Sequence, residues 1–458
     1  MGDILTFVLF VSISRQYGQE GIGQYSFAMA VTGFFAVLAD FGLYQFTIKT
    51  ISRDLKIIKQ EFFGIIITRI IISALVFGLL LIGLYFYDTS EQLKLVIAII
   101  GLYQIVYTIM EGIGVIFIVH EEMHFVGIFE LTTKLLIAII GILLIVMEES
   151  LISVILIYPI ITIIQIGIIF IIARWKYGKF MLVFNFKDNL VNLKKSISLL
   201  SSSFVNMISM RVDVIMLGFI LTVTTVGIYN ASYRIVFVFM MFANFFSLAL
   251  FPQFSKMYKD SGEKLIKLVN NSLSSILLFS IPAAGGVFIL APKIIDLIYG
   301  NEFSDSSVIL QYLTGIILLY FIERILSILL VSVDKEVLRM KCQWIVGIFN
   351  VITMVLFIKL FGIKGAAFSA TISLVLLIAI YMYYLKTFIN FGSLIKRIFI
   401  CSVGTFAFCF AITFFQINSL VGSIILGSLI YCVIILFFKS IRNNELKMIL
   451  DHLRNNSV

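Results

Sequence analysis

Charge is what this chain has least of. Only 13% of its 458 residues are Asp, Glu, Lys or Arg, about half the share of a soluble domain. That scarcity excludes a disordered chain and nearly every soluble enzyme. Proline is almost absent, at four residues, which fits long uninterrupted helices. Cysteine and histidine are too few and too scattered for a metal centre. Cys342, Cys401, Cys409 and Cys432 lie in apolar runs without ligand spacing, and His120, His124 and His452 are the only histidines. A cysteine in such a run behaves as a small hydrophobe. The phosphate loop Gly-x-x-x-x-Gly-Lys-Ser/Thr does not occur, so direct use of ATP is not expected. Asp-x-Asp is missing as well, and no long outer loop is available to hold the carboxylates of a sugar-transfer site.

What is present is apolar. Hydrophobic residues make up 61% of the chain, in recurring runs of about 20 residues, the length that crosses a hydrocarbon core of about 30 Å. The expected fold class is an all-α polytopic membrane protein. The runs predict fourteen spans: 3–14, 22–46, 63–87, 93–119, 125–147, 151–173, 196–220, 226–251, 270–290, 309–332, 342–358, 363–385, 396–416 and 418–438. The longest polar stretch, around 174–195, is too short for a soluble domain. The first span would rise only about 18 Å at 1.5 Å per residue. It has neither a basic segment before it nor a small-residue cleavage site after it, so it does not read as a signal peptide. The expectation is either a short or tilted half-span or a helix whose first half is missing from the reading frame.

The net charge of +9 is explained by position. Connections after even-numbered spans, with the C-terminal tail, hold twenty-four Lys and Arg; those after odd-numbered spans hold Arg15, Lys94, Lys293, Lys359 and Lys364. Short cytoplasmic loops collect basic residues, so both termini are expected in the cytoplasm of a multi-pass cell-membrane protein. The bases then face anionic lipid headgroups, and nucleic acid is not an expected partner.

An internal repeat is visible at a shift of 204 residues. It aligns Ile22-Gly23-Gln24-Tyr25 with Val226-Gly227-Ile228-Tyr229, Phe35 with Phe239, Asp40 with Asn244, and Phe41 with Phe245. Six spans is an even shift, so the halves have parallel topology, one of the two repeat patterns of secondary transporters. The expected organisation is an N-terminal six-helix bundle over 1–180, a second over 181–390, and a helix pair with a cytoplasmic tail over 391–458.

Residues 15–54 carry Arg15-Gln16-Tyr17-Gly18, Gly23-Gln24-Tyr25, Ala39-Asp40-Phe41-Gly42 and Arg53-Asp54. Further on come Arg211-Val212-Asp213 with Leu217-Gly218, Val226-Gly227-Ile228-Tyr229, Ala291-Pro292 with Tyr299-Gly300, and Gly362-Ile363-Lys364-Gly365-Ala366-Ala367. In this order and spacing the motifs resemble the Wzx-type lipid-linked oligosaccharide flippases. Those belong to the superfamily that also holds the MATE exporters and the peptidoglycan lipid flippases. The resemblance covers the whole chain. It implies two six-helix bundles with a C-terminal pair, and a polyprenyl-(pyro)phosphate-linked oligosaccharide as substrate, carried by alternating access for surface polysaccharide synthesis. The short first span departs from the pattern.

Five bases fall inside spans, Arg69, Lys134, Arg211, Arg234 and Arg324, and five acids, Asp40, Glu111, Glu130, Asp213 and Glu323. A charge at the bilayer centre costs about 2.5–3.5 kcal/mol on insertion scales, so these groups should face one another or a wet cavity. Glu130 and Lys134 have the favourable four-residue spacing of a structural ion pair. Arg69 could snorkel to the cytoplasmic end or join a cavity. Arg211, Arg234 and Arg324 are too deep to snorkel easily and are candidates, with Arg69, for binding phosphate or glycan. Glu323 could pair with its neighbour Arg324 or face another helix. Asp40 and Glu111 have no cation at helical spacing. They are candidates for a coupling site that takes Na+ or H+, or else carboxyls with partners on other helices. Tyr25, Tyr103, Tyr107, Tyr229, Tyr233 and Tyr320 could stack on sugars or mark the interfaces.

The function expected is a flippase acting as a monomer, with no cofactor, alongside polysaccharide polymerase or ligase partners. A MATE-like exporter of small cations would prefer an acidic cavity. A membrane glycosyltransferase or polymerase would need catalytic carboxylates on a large outer loop, and the largest outer connection is about 291–308.

Overall fold

The computed structural model describes residues 2–52, 58–178, 186–260, 262–415 and 419–437. Every regular element among them is helical. Hydrocarbon offers the backbone no water, and a helix satisfies its peptide groups within its own segment. The chain forms two compact units, Met1–Asn230 and Ala231–Val458.

The first unit holds α1 (Gly2–Asp40), α2 (Leu43–Ile51), α3 (Ile58–Phe86), α4 (Glu91–Val119), α5 (Met123–Val146), α6 (Leu151–Tyr177), α7 (Phe186–Ile220) and the start of α8 (Val223–Asp260). Ser90 and Ser150 cap α4 and α6 by accepting from Leu93 and Ser153 amides. One of its cores, around Phe62, Ile116, Phe117, Phe129 and Ile169, joins α3, α4, α5 and α6. The second unit holds the rest of α8, then α9 (Gly262–Tyr299), α10 (Ser304–Ser332), α11 (Glu336–Phe361), α12 (Ile363–Tyr384), α13 (Phe391–Phe414) and α14 (Leu420–Phe437). Phe408 and Ile412 of α13 pack on Leu290 of α9. All four prolines, Pro159, Pro252, Pro282 and Pro292, lie inside helices, as bilayer helices tolerate. Large apolar side chains are exposed along the helices of both units, among them Leu75, Ile171, Phe245, Ile352 and Phe406. A helix that is apolar all round is made for lipid.

Twelve helical segments among the described residues are long and apolar enough to cross a membrane. The expected spans 3–14 and 22–46 fall on one such segment, Ile4–Thr50, and α7, which contains the expected span 196–220, is not among the twelve. Within that first segment the helix is interrupted at Gly18 (φ 64°, ψ −165°), a conformation open to glycine. The expected boundary between 180 and 181, the Arg53-Asp54 motif and the tail from 438 onward lie outside the described residues.

The repeat is written into the helix limits. The shift of 204 places the start of α3 on the start of α9; a shift of 213 places the end of α3 on the end of α9. The nine-residue change is the difference between α3, with 29 residues, and α9, with 38. From there 213 holds: α4 maps onto α10 at both ends, and both are 29 residues long. Their terminal turns share geometry. Glu121 (φ 62°) and Asp334 (φ 60°) are both left-handed. The Glu122 amide donates to Phe117 carbonyl, and the Lys335 amide to Leu330 carbonyl, each at 2.8 Å. The 204-residue register is just as concrete in the first unit. A Cβ on Gly23 would meet the Val223 carbonyl, and a Cβ on Gly227 would meet the Gln19 carbonyl. The four positions form two pairs exchanged by the shift, so each glycine admits the other helix's backbone.

Candidate functional site

In the first unit the charges gather at a break in the chain. Asp40 ends α1, and Phe41 (φ 52°) and Gly42 (φ 75°) turn the backbone before α2 begins. Only a residue without Cβ fits at Gly42, because one would strike the backbone of Ser196 and Leu200. The Asp40 carboxylate accepts the Tyr44 amide at 3.2 Å. It is thus favourable to the N-terminus of α2 and unfavourable to the C-terminus of α1.

Arg69 of α3 resolves that conflict by donating to the same oxygen of Asp40. Its side chain is 1% exposed, so it pairs inside the unit and does not snorkel. Gly112 makes the space, since a Cβ there would collide with the guanidinium. Glu111, its neighbour on α4, lies within electrostatic reach of Arg69 and Glu130. Lys134 donates to Glu130 at 2.7 Å. Among the described residues, the cluster thus brings Asp40, Glu111 and Glu130 together with Arg69 and Lys134. Tyr44, Tyr103 and Tyr107 lie within reach of Glu111. The aromatic wall continues through Tyr158, whose ring is 5.1 Å from Tyr103 and whose hydroxyl is 3.1 Å from that of Tyr25.

Arg211 is carried by α7. Its neighbour Asp213 is buried and accepts the Tyr229 hydroxyl at 2.9 Å and the Val214 amide at 2.8 Å.

The second unit carries a different arrangement. Arg324 of α10 makes a two-pronged bond to Glu323, at 2.5 and 2.7 Å, the strong form of the guanidinium–carboxylate pair. Glu323 is 1% exposed and Arg324 24%. The guanidinium also lies over the Tyr320 ring at 5.0 Å, and the Tyr320 hydroxyl reaches Asn244 at 3.4 Å. Arg234 has other surroundings, with the Phe237 ring at 5.9 Å and Tyr299 within electrostatic reach.

The two clusters occupy equivalent places in the repeat. Tyr107 maps onto Tyr320 and Glu111 onto Arg324 at the α4/α10 shift, and Asp40 maps onto Asn244 at the earlier one. A tyrosine one helical turn before a charge is kept, while the sign of the charge is inverted.

Sequence relations now carry weight. The polysaccharide biosynthesis protein family matches residues 1–258, more than half of the chain. The chain belongs to the polysaccharide biosynthesis protein family. Across 97% of its length it is 25% identical to a Haloferax volcanii protein described as "Probable low-salt glycan biosynthesis flippase Agl15", covering 95% of that protein. It is 23% identical over 85% of its length to the Staphylococcus aureus "Capsular polysaccharide biosynthesis protein CapF", 97% of which is covered. Its fold is similar to that of the lipid II flippase MurJ, with a TM-score of 0.78 at 19% identity over 96% of this chain and 97% of that one. The chain is an all-α multi-pass membrane protein, as expected from the sequence, with twelve candidate spans among the described residues where the sequence predicts fourteen.

Sequence reasoning passed over three features of this family member. Gly112 reads as an ordinary helix glycine until Arg69 is seen against it. Arg339 counts among the bases of a connection, yet it lies in α11 and donates to Ser327 of α10 at 3.5 Å. Between α4 and α5, Glu122 accepts from Lys176 at 2.6 Å and from the Tyr177 hydroxyl at 2.7 Å. Those two bonds hold its carboxyl below the usual range.

Proposed function

We propose that this chain moves polyprenyl-(pyro)phosphate-linked oligosaccharides from the cytoplasmic to the outer leaflet of the cell membrane, for surface polysaccharide synthesis. Family membership and the near full-length similarity to a protein described as a glycan biosynthesis flippase support this reading. The observation that carries it physically is the pair of oppositely charged clusters at one duplicated position. A glycan with an anionic phosphate cannot cross hydrocarbon unaided. Arg324, partly exposed and held by Glu323, offers a planar fork for phosphate. Arg234, Arg211 and Arg69 are the further candidates, of which Arg69 is committed to Asp40.

The cluster of the first unit suits a coupling cation. Asp40 and Glu111 are two carboxyls beside one buried base, Arg69, so Na+ or H+ would balance the remaining charge. The cycle is alternating access, with both termini in the cytoplasm, as the basic residues favour. The protein acts as a monomeric carrier beside polymerase or ligase partners and makes no covalent bond itself.

Transport of a fluorescent polyprenyl-diphosphate glycan across proteoliposomes tests the reading. Arg324→Ala should abolish transport without loss of reconstituted protein, and Arg324→Lys should be intermediate, keeping charge but losing the fork. Wild-type protein that moves no such glycolipid would remove the function. Full activity of Arg324→Ala would move the phosphate contact elsewhere.

A further inference from the structure

The second unit holds buried hydrogen-bond donors that neither its packing nor the site described above uses. Arg339 sits in the first turn of α11, Tyr381 in the last turn of α12, and Ser327 near the end of α10, all at one end of the helix bundle. Tyr381 is fully buried, and its hydroxyl meets no acceptor among the described residues. The Arg339 Nε is buried and equally unmatched, and its Nη1 reaches only Ser327 Oγ, at the 3.5 Å limit of a hydrogen bond. Glu323, Arg339 and Arg324 lie within electrostatic reach of the Tyr381 hydroxyl. Glu323 is the one acceptor among them, and Arg324 already engages both of its oxygens.

We propose that Arg339 and Tyr381 form a phosphate-ester site at the α10–α12 end of the second unit, taking an isoprenyl phosphate from the adjoining leaflet. Two guanidinium groups, Arg324 and Arg339, stand against one carboxylate, Glu323, and leave a positive charge within electrostatic reach of the Tyr381 hydroxyl. Such a set calls for an anion with several acceptor oxygens, and a guanidinium fork beside a hydroxyl suits the oxygens of a phosphate ester. The apolar part of the ligand has a place to lie. A cavity of about 570 Å³ opens between α11 and α12, walled by Leu338, Ile345, Ala379 and Ile380. Cys342 lines that cavity and also lies within electrostatic reach of the Tyr381 hydroxyl, so the groove adjoins the donors.

The rim is exposed and mixed in sign. Lys335, Lys341 and Lys386 outnumber Asp334 and Glu336, and Lys386 lies 5.5 Å from the Tyr383 ring. The basic-residue tally assigns this end to the cytoplasm, where a lipid-linked substrate would be collected. The inference deepens the flippase reading by naming where the lipid phosphate is first held, and it rests on that reading for the natural ligand.

The test is binding of farnesyl phosphate to the purified full chain in detergent, with farnesol and inorganic phosphate as the comparison probes. Farnesyl phosphate should bind more tightly than either. Tyr381→Phe and Arg339→Lys should each weaken it about tenfold, the effect of losing one hydrogen bond to a charged group. Tyr381→Phe removes an unmatched buried hydroxyl, so it should melt no lower than wild type without ligand, which separates loss of binding from loss of fold. Wild-type affinity in both variants would overturn the site and assign the donors to water. Binding lost in Tyr381→Phe supports the site even where wild-type protein transports no glycolipid. A transporting wild type whose two variants bind as it does overturns the site alone.

Discussion

The first unit breaks its helix at Asp40, while the second runs α8 unbroken through the equivalent Asn244. The same contrast recurs between α4 and α10, where Glu111 on α4 lies within electrostatic reach of Arg69 of α3, and Arg324 on α10 bonds to its own neighbour Glu323. Both units keep the tyrosine a turn earlier, Tyr107 and Tyr320. A pair made across helices ties charge to packing, because the helices must stay together for the charge to stay neutral. A pair made within one helix leaves the neighbouring helices free of that constraint. The duplicated frame therefore carries opposite charges and couples them differently to the backbone: tightly at the acidic cluster, loosely at the basic one.

The contrast breaks most severely at Arg69. Removing one partner of a buried pair typically costs about 3–5 kcal/mol, because the other charge is left uncompensated. Arg69→Ala should lower the thermal midpoint in detergent by several degrees and reduce the amount of folded protein. The double change Arg69→Gln with Asp40→Asn should recover most of that loss, since two amides can still bond. It also makes the first unit resemble the second at Asp40, so any response of transport to an imposed Na+ or pH gradient should disappear. A double variant as unstable as Arg69→Ala would show that the pair does not hold α1 to α3.

Gly112 sharpens the contrast at smaller cost. Its equivalent in the second unit is Ile325, fully buried, and α10 can afford that side chain because Arg324 is satisfied from its own helix. A methyl group at Gly112 would strike the Arg69 guanidinium, and overpacking of this kind costs about 1–3 kcal/mol. Gly112→Ala should destabilise wild-type protein and do less harm in an Arg69→Gln background. Equal losses in both backgrounds, read by thermal denaturation as a double-mutant cycle, would mean that Gly112 does not exist for the arginine.

Much of this architecture is legible from the residues alone, for a physical reason. Apolar runs report membrane helices directly, because the bilayer penalises every exception. The spacing of Glu130 and Lys134 likewise announces their contact, since four residues is one helical turn. Partners on different helices leave no such trace. Nothing in the order of residues says that Arg69 meets Asp40 29 positions earlier, or that Arg339 turns inward from the start of α11. The repeat shows at a shift of 204 and fades beyond α8, because nine additional residues in α9 move the register to 213. Once that register is known, the alignment of Glu111 with Arg324 is plain.

The mildest expected effect concerns the ends of α4 and α10, where the terminal turns coincide but the side chains differ. Glu122 accepts from Lys176 and the Tyr177 hydroxyl, whereas Lys335 at the matching place donates to the Tyr384 carbonyl at 3.4 Å and brings no carboxylate. The Glu122 carboxyl is held below its ordinary value of 4.5, chiefly by Lys176 and then by Tyr177. A carboxyl depressed in the folded state contributes stability that is complete above its unfolded value, and the contribution is lost as pH falls through the folded one. Glu122→Gln abolishes that titration. The thermal midpoint of wild type should therefore exceed that of Glu122→Gln by a small margin at pH 7. The margin should begin to close below about pH 5 and vanish once the native carboxyl is protonated. Because Glu122 is open to solvent, added salt should narrow the margin as well. A difference that stays constant from pH 7 to pH 3 would mean that Glu122 acts through its shape and hydrogen bonds, and that its charge contributes nothing to the junction of α4 with α6.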